Sequence, residues 1–154
     1  AVLLDDGGRL SVNDPRRLGG VELDPDERSL GFDAHEITLP QLRRALIGSR
    51  VAVKARLMDQ SQVAGVGNLM ADEALWRAGI DPARPANSLV AAEVAALRLA
   101  LRSTLRDLLR RGGSHTGDLW AHRMPGGLCP LDGTALVRRT VGGRTTWSCP
   151  QHQR

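Results

Sequence analysis

With 154 residues, 42% of them hydrophobic, the chain can bury one core or two small ones, which excludes a disordered chain. A net charge of +4 suits a polyanionic partner, whereas 3% aromatic residues and no Tyr argue against a stacking platform for single strands. No apolar run reaches bilayer-spanning length and no signal-like segment opens the chain, so a soluble intracellular protein is expected.

In chain order, Ala1–Leu4 and Leu10–Val12 read as strands around the turn Asp5-Asp-Gly-Gly8, and Val21–Leu23 as a third. Three short strands make no stable domain alone, so they read as part of a larger sheet. Asp24–Ser29 is a polar linker. Thr38-Leu-Pro-Gln41 has capping-box spacing and opens a helix through about Ile47, stopped by Gly48. A second helix is expected over Val51–Gln60. After the glycine-punctuated turn Val63-Ala-Gly-Val-Gly-Asn68, a third runs from Leu69 to Ala78, closed by Gly79. The longest helix is expected from Ser88 to Arg111, with Val94, Leu97, Leu101, Leu105 and Leu108 on one face and Gly112 beyond its end. A Gly-rich connector to Leu128 leads to a hairpin, Leu136–Val141 and Arg144–Ser148, joined by Gly142-Gly143.

Of the 21 cationic residues, 20 are Arg and one, Lys54, is Lys. GC-rich coding accounts for that bias, although Arg also suits phosphate through its bidentate fork. The two glycines of the turn 63–68 let backbone N–H groups approach a ligand, and the following helix N-terminus adds positive potential. With Lys54 and Asn68 this forms a candidate phosphate cradle; the alternative is an ordinary helical corner whose glycines serve close packing.

Cys129-Pro-Leu-Asp132 and Cys149-Pro-Gln-His152 form two pairs, with 16 residues between Asp132 and Cys149. Two-residue spacing lets each knuckle point both side chains at one ion, and the hairpin brings the knuckles together. Zinc is the expected occupant; a Cys129–Cys149 disulfide or a hairpin without metal are the alternatives. His35, His115 and His122 lack ligand spacing and read as surface or capping residues. Trp76 reads as core and Trp120 as a cap on the long helix. Ser114, His115 and Asp118 suggest a hydrolase triad only superficially, because triads are defined by spatial geometry.

Lys54-Ala-Arg-Leu-Met-Asp-Gln60 followed by Val63–Leu75 resembles the helix–two-turn–helix signature of the formamidopyrimidine-DNA glycosylase/endonuclease VIII family. Asn13-Asp-Pro-Arg-Arg17 resembles that family's motif at the end of its β-sandwich, and Cys129–Gln153 its zinc finger. The resemblance implies an α+β chain in three parts: residues 1–34 as the end of a β-sandwich, 35–118 as the mostly helical DNA-binding domain, and 119–154 as a zinc-finger hairpin. It implies a monomer in the bacterial cytoplasm, with double-stranded DNA containing damaged bases or abasic sites as partner. Lys54, Asn68 and Arg144 would hold phosphates, with Gly65 and Gly67 in the cradle. Arg16, with Arg17 beside it, would fill the gap left by a flipped nucleotide, and Leu18 would wedge the stack. Zinc would bind Cys129, Asp132, Cys149 and His152.

Departures accompany the resemblance. Asp132 and His152 stand where relatives commonly carry Cys, Met70 replaces a frequent Tyr, and the connector is short, which leans toward the endonuclease VIII branch. The family's nucleophile is an N-terminal proline amine followed by a glutamate. This chain begins Ala-Val-Leu-Leu, so the expectation is a DNA-gripping half with no catalytic residue, inactive alone. The competing expectation is a stand-alone DNA-binding module without chemistry.

Overall fold

A computed structural model describes residues 1–13, 15 and 20–154. Two short antiparallel strands, β1 (Val2–Leu3) and β2 (Arg9–Leu10), pair around a turn in which Gly7 takes φ 80°. Val21–Leu23 is not a strand: Val21 and Leu23 are 74% and 90% exposed, with no partner strand among the described residues to bury them.

Helix α1 (Leu39–Ile47) starts at the expected capping box, with Thr38 Oγ1 accepting from Gln41 N and Gln41 Oε1 accepting from Thr38 N. Helix α2 covers only Val53–Leu57, shorter than expected. It stops because Asp59 commits its carboxylate to the N–H and hydroxyl of Ser61 and its carbonyl to the N–H groups of Gln62 and Val63. That turn frees Val63–Ala64 (β4) to pair in parallel with Phe32–Asp33 (β3), a contact without local sequence signature. Helix α3 (Asn68–Ala78) ends on Gly79 at φ 69°. Helix α4 (Ala91–Arg111) begins three residues later than expected, because Ala86–Ser88 winds as a 3-10 turn, and ends on Gly112 at φ 92°. Gly112 therefore terminates the helix; Trp120 instead meets His115 edge-on at 4.6 Å.

The main core gathers Leu42, Leu46, Leu57, Val63, Leu75, Leu97 and Leu101 among the helices. A second, smaller core joins Trp76 and Leu119 to Cys129, Leu136, Trp147 and Cys149 under the hairpin of β5 (Val137–Val141) and β6 (Arg144–Ser148). Helix α3 is the middle layer: its one side meets β6, another meets α4. Among the described residues no helix is long and apolar enough to cross a membrane.

Candidate nucleic-acid interface and metal cluster

The turn before α3 is built by Gln60. Its Oε1 accepts from Gly65 N at 2.9 Å, and its Nε2 donates to the carbonyls of Met58 and Val66, each at 3.0 Å. Gly65 sits at φ 88°, a conformation that disfavours a side chain. A Cβ on Gly65 or Gly67 would meet nothing within 4 Å, so close packing is not why either is glycine. With Gly67 as N-cap, α3 has no side-chain cap, and its first N–H groups remain available to a ligand.

Arg144 stands exposed across an open groove lined by Ala55, Gly67, Asn68 and Gly142. Its placement follows from the Gly142-Gly143 turn, whose φ values of 58° and 71° match the tight hairpin turn. A Cβ on Gly142 would lie 2.7 Å from that of Ala55, so the hairpin tip approaches α2 closely. Asn68 ties the two walls together, its Nδ2 donating to the Thr145 carbonyl at 3.2 Å. Its Oδ1 is buried without a partner. The structure thus brings Gly67, Asn68 and Arg144 around one groove, while Gly65 lines a neighbouring hollow with Gly67 and Asn68.

Lys54 is placed differently from the sequence expectation. It is 0% exposed, and its Nζ lies 2.7 Å from Asp72 Oδ1 while donating to Thr146 Oγ1 at 2.7 Å and the Thr145 carbonyl at 3.2 Å. With no exposed atom, it is an internal strut under the hairpin rather than a surface phosphate ligand. Asp72 is the hub of this interior: it also accepts from Arg123 at 2.7 Å and from Trp147 N at 3.3 Å. Burial pulls the Lys54 ammonium below its ordinary value, opposed by Asp72; burial pushes Asp72 up, opposed by Lys54 and Arg123.

Beneath the hairpin the ligand atoms of Cys129, Asp132, Cys149 and His152 lie within 4.8 Å of one another. Asp132 Oδ2 is 3.2 Å from both Cys149 Sγ and His152 Nδ1, and Cys129 Sγ is 3.6 Å from His152 Nδ1. His152 Nε2 meets the Trp76 carbonyl at 3.1 Å, which fixes the ring so that Nδ1 faces the cluster. The Thr134 N–H on Asp132 holds that carboxyl well below the usual range, and burial pushes the Cys149 thiol up. Both cysteines are free thiols, so the disulfide alternative is not realised.

Several supporting residues carry no motif signal. Trp76 Nε1 donates to Cys129 Sγ at 3.4 Å, and Gln153 Oε1 accepts from Cys149 N at 2.7 Å. Glu73, 3% exposed, accepts the N–H groups of Asp118 and Leu119 and so anchors the connector. Asp118 gives its carboxylate to Arg77 and Arg111, which dissolves the superficial Ser114–His115–Asp118 triad. Arg16, Arg17 and Leu18 lie outside the described residues.

Comparison with known proteins accords with this layout. Residues 30–119 match the formamidopyrimidine-DNA glycosylase H2TH domain. A formamidopyrimidine-DNA glycosylase of Roseiflexus sp. is 39% identical over 98% of this chain and 63% of its own length. The MutM (Fpg) protein of Thermus thermophilus is 36% identical, with a TM-score of 0.72 over 81% of this chain and 54% of that one. The Lactococcus lactis Fpg (MutM) in complex with DNA containing FAPY-dG is 27% identical, with a TM-score of 0.73 over 83% of this chain and 52% of that one. The chain thus spans about three-fifths of the length of the curated relatives it matches. These relatives carry the formamidopyrimidine name, so they lend no support to the endonuclease VIII leaning drawn from the short connector.

Proposed function

The chain belongs to the formamidopyrimidine-DNA glycosylase family, and from that we propose that it is the DNA-gripping part of a base-excision repair glycosylase acting on duplex DNA with oxidised bases or abasic sites. The observation that carries this reading is the groove with Arg144 on one wall and the uncapped start of α3 on the other, joined by Asn68 to Thr145. Such a groove offers an Arg fork, backbone N–H groups and a helix dipole to consecutive phosphates. None of these donors reads a base edge, which suits a protein that must inspect any sequence. Arg16, Arg17 and Leu18 are assigned by resemblance to the void left by a flipped nucleotide.

One zinc ion is proposed among Cys129, Asp132, Cys149 and His152. Donor atoms around a tetrahedral zinc with bonds of about 2.0–2.3 Å stand roughly 3.3–3.8 Å apart, close to the separations of 3.2 to 3.6 Å between three of the donor pairs. Zinc would cross-link the hairpin and so hold Arg144 over the groove; its role is structural. The Trp76 carbonyl and the Gln153 side chain orient His152 and Cys149 for it.

No strand-cutting nucleophile is assigned to these residues. A Schiff base at a sugar C1′ needs an unprotonated, accessible amine, and Lys54 is sealed beneath the hairpin. The test of the grip is a salt titration of the chain with duplexes carrying an abasic analogue, an oxidised base or neither. Affinity that falls steeply with salt and is greatest for the abasic duplex is expected. A flat salt response would sink the reading.

A further inference from the structure

Helix α4 carries a second cationic surface that the groove does not use. Arg98, Arg102 and Arg106 recur every fourth residue, rising roughly 6 Å per step along one side of the helix. Val94, Leu97, Leu101 and Leu108 are buried, and the helical repeat sets the three arginines roughly 120° round from them. Arg102 and Arg106 are exposed and Arg98 is half-buried.

Neighbouring arginines behave differently. Arg77, Arg110, Arg111 and Arg123 each bond a carboxylate. Among the described residues, Arg98, Arg102 and Arg106 have no ion pair or side-chain hydrogen bond. Like charges one turn apart repel, so this row is one that an external polyanion would relieve.

None of the three arginines lines the groove. Strand β6, which begins with Arg144, packs on α3, and α4 packs on α3 as well. No α4 residue lines the groove.

We propose that Arg98, Arg102 and Arg106 form a second docking surface, whose occupant is the phosphate backbone of a second duplex segment. One chain would then bridge two duplexes. The inference rests on the proposed grip at the groove, since bridging needs both sites. Arg forks on phosphates carry no sequence information, so the second site is indifferent to lesions.

The test uses the 154-residue chain at low salt. A biotinylated abasic duplex on beads captures the chain, and a fluorescent undamaged duplex is then added. The parent chain should retain the second duplex. The R98Q/R102Q/R106Q variant should be captured within about twofold of the parent but hold about tenfold less second duplex. Its melting temperature should be equal or higher, because repulsion along α4 is relieved. Failure of the beads to capture any chain would instead count against the groove. Capture without a second duplex on the parent chain, or bridging that survives the triple substitution, overturns the inference.

Discussion

Lys54 Nζ lies 2.7 Å from Asp72 Oδ1 with both side chains 0% exposed, and this buried pair joins α2, α3 and the hairpin. Removing Lys54 leaves Asp72 buried with Arg123 as its remaining counter-charge, and breaking a buried pair typically costs about 3–5 kcal/mol. Lys54→Met is therefore expected to destabilise strongly in urea unfolding. Lys54→Met combined with Asp72→Asn should cost less than the two single changes summed, because it strands no unpaired charge of the pair. Strict additivity would show that the pair is not coupled.

Arg144→Ala should reduce the slope of log affinity against log salt by about one unit, the signature of one lost phosphate contact. Lys54→Met, measured where it remains folded, should leave that slope unchanged unless the hairpin shifts. A slope change equal to that of Arg144→Ala, with the hairpin intact by NMR, would return Lys54 to the list of phosphate ligands.

Chain purified without chelator should hold about one equivalent of zinc. Cys149→Ser should lose it, and should lower DNA affinity through a loosened Arg144 rather than through the groove's helical wall. Elemental analysis with thiol titration decides: negligible metal, with both thiols reactive, would remove zinc from the account.

Incubation of the chain with abasic duplex and borohydride should trap no covalent adduct. Lys54 is inaccessible, and burial beside Asp72 and Thr146 leaves it no path to a sugar. A trapped adduct that disappears in Lys54→Ala would reassign this lysine as a nucleophile.

Acid stability should follow Glu93. Its pairing with Arg84, at 2.5 and 2.9 Å, holds its carboxyl below the ordinary 4.5. A folded value below the unfolded one means stability that is fully present above about 4.5 and lost as pH falls through the folded value. Glu93→Gln should cost about 0.5–1.5 kcal/mol near neutrality, and the difference from the parent should shrink steadily below that carboxylate's unfolded value. A difference that is constant from neutral to strongly acidic pH would show that the carboxylate charge is not what matters.

Much of this protein was legible in its sequence because the relevant signals are local. The capping box at Thr38, the helix stops at Gly79 and Gly112, and the Gly142-Gly143 turn act within a few residues, through backbone geometry that neighbours cannot easily override. The ligand cluster was legible for the same reason: two knuckles with fixed spacing need only a hairpin between them to converge. Tertiary structure decided what depends on burial and on distant partners. Lys54 read as a surface cation because nothing near it in sequence reveals that Asp72, eighteen positions away, and the Thr145 carbonyl would close over it. The β3–β4 pairing, the Asp59 turn that shortens α2, and the Glu73 anchor of the connector likewise join residues whose partners only folding supplies. A side chain's type sets what it can bond; whether it meets a phosphate or a buried carboxylate is set by which elements pack against it.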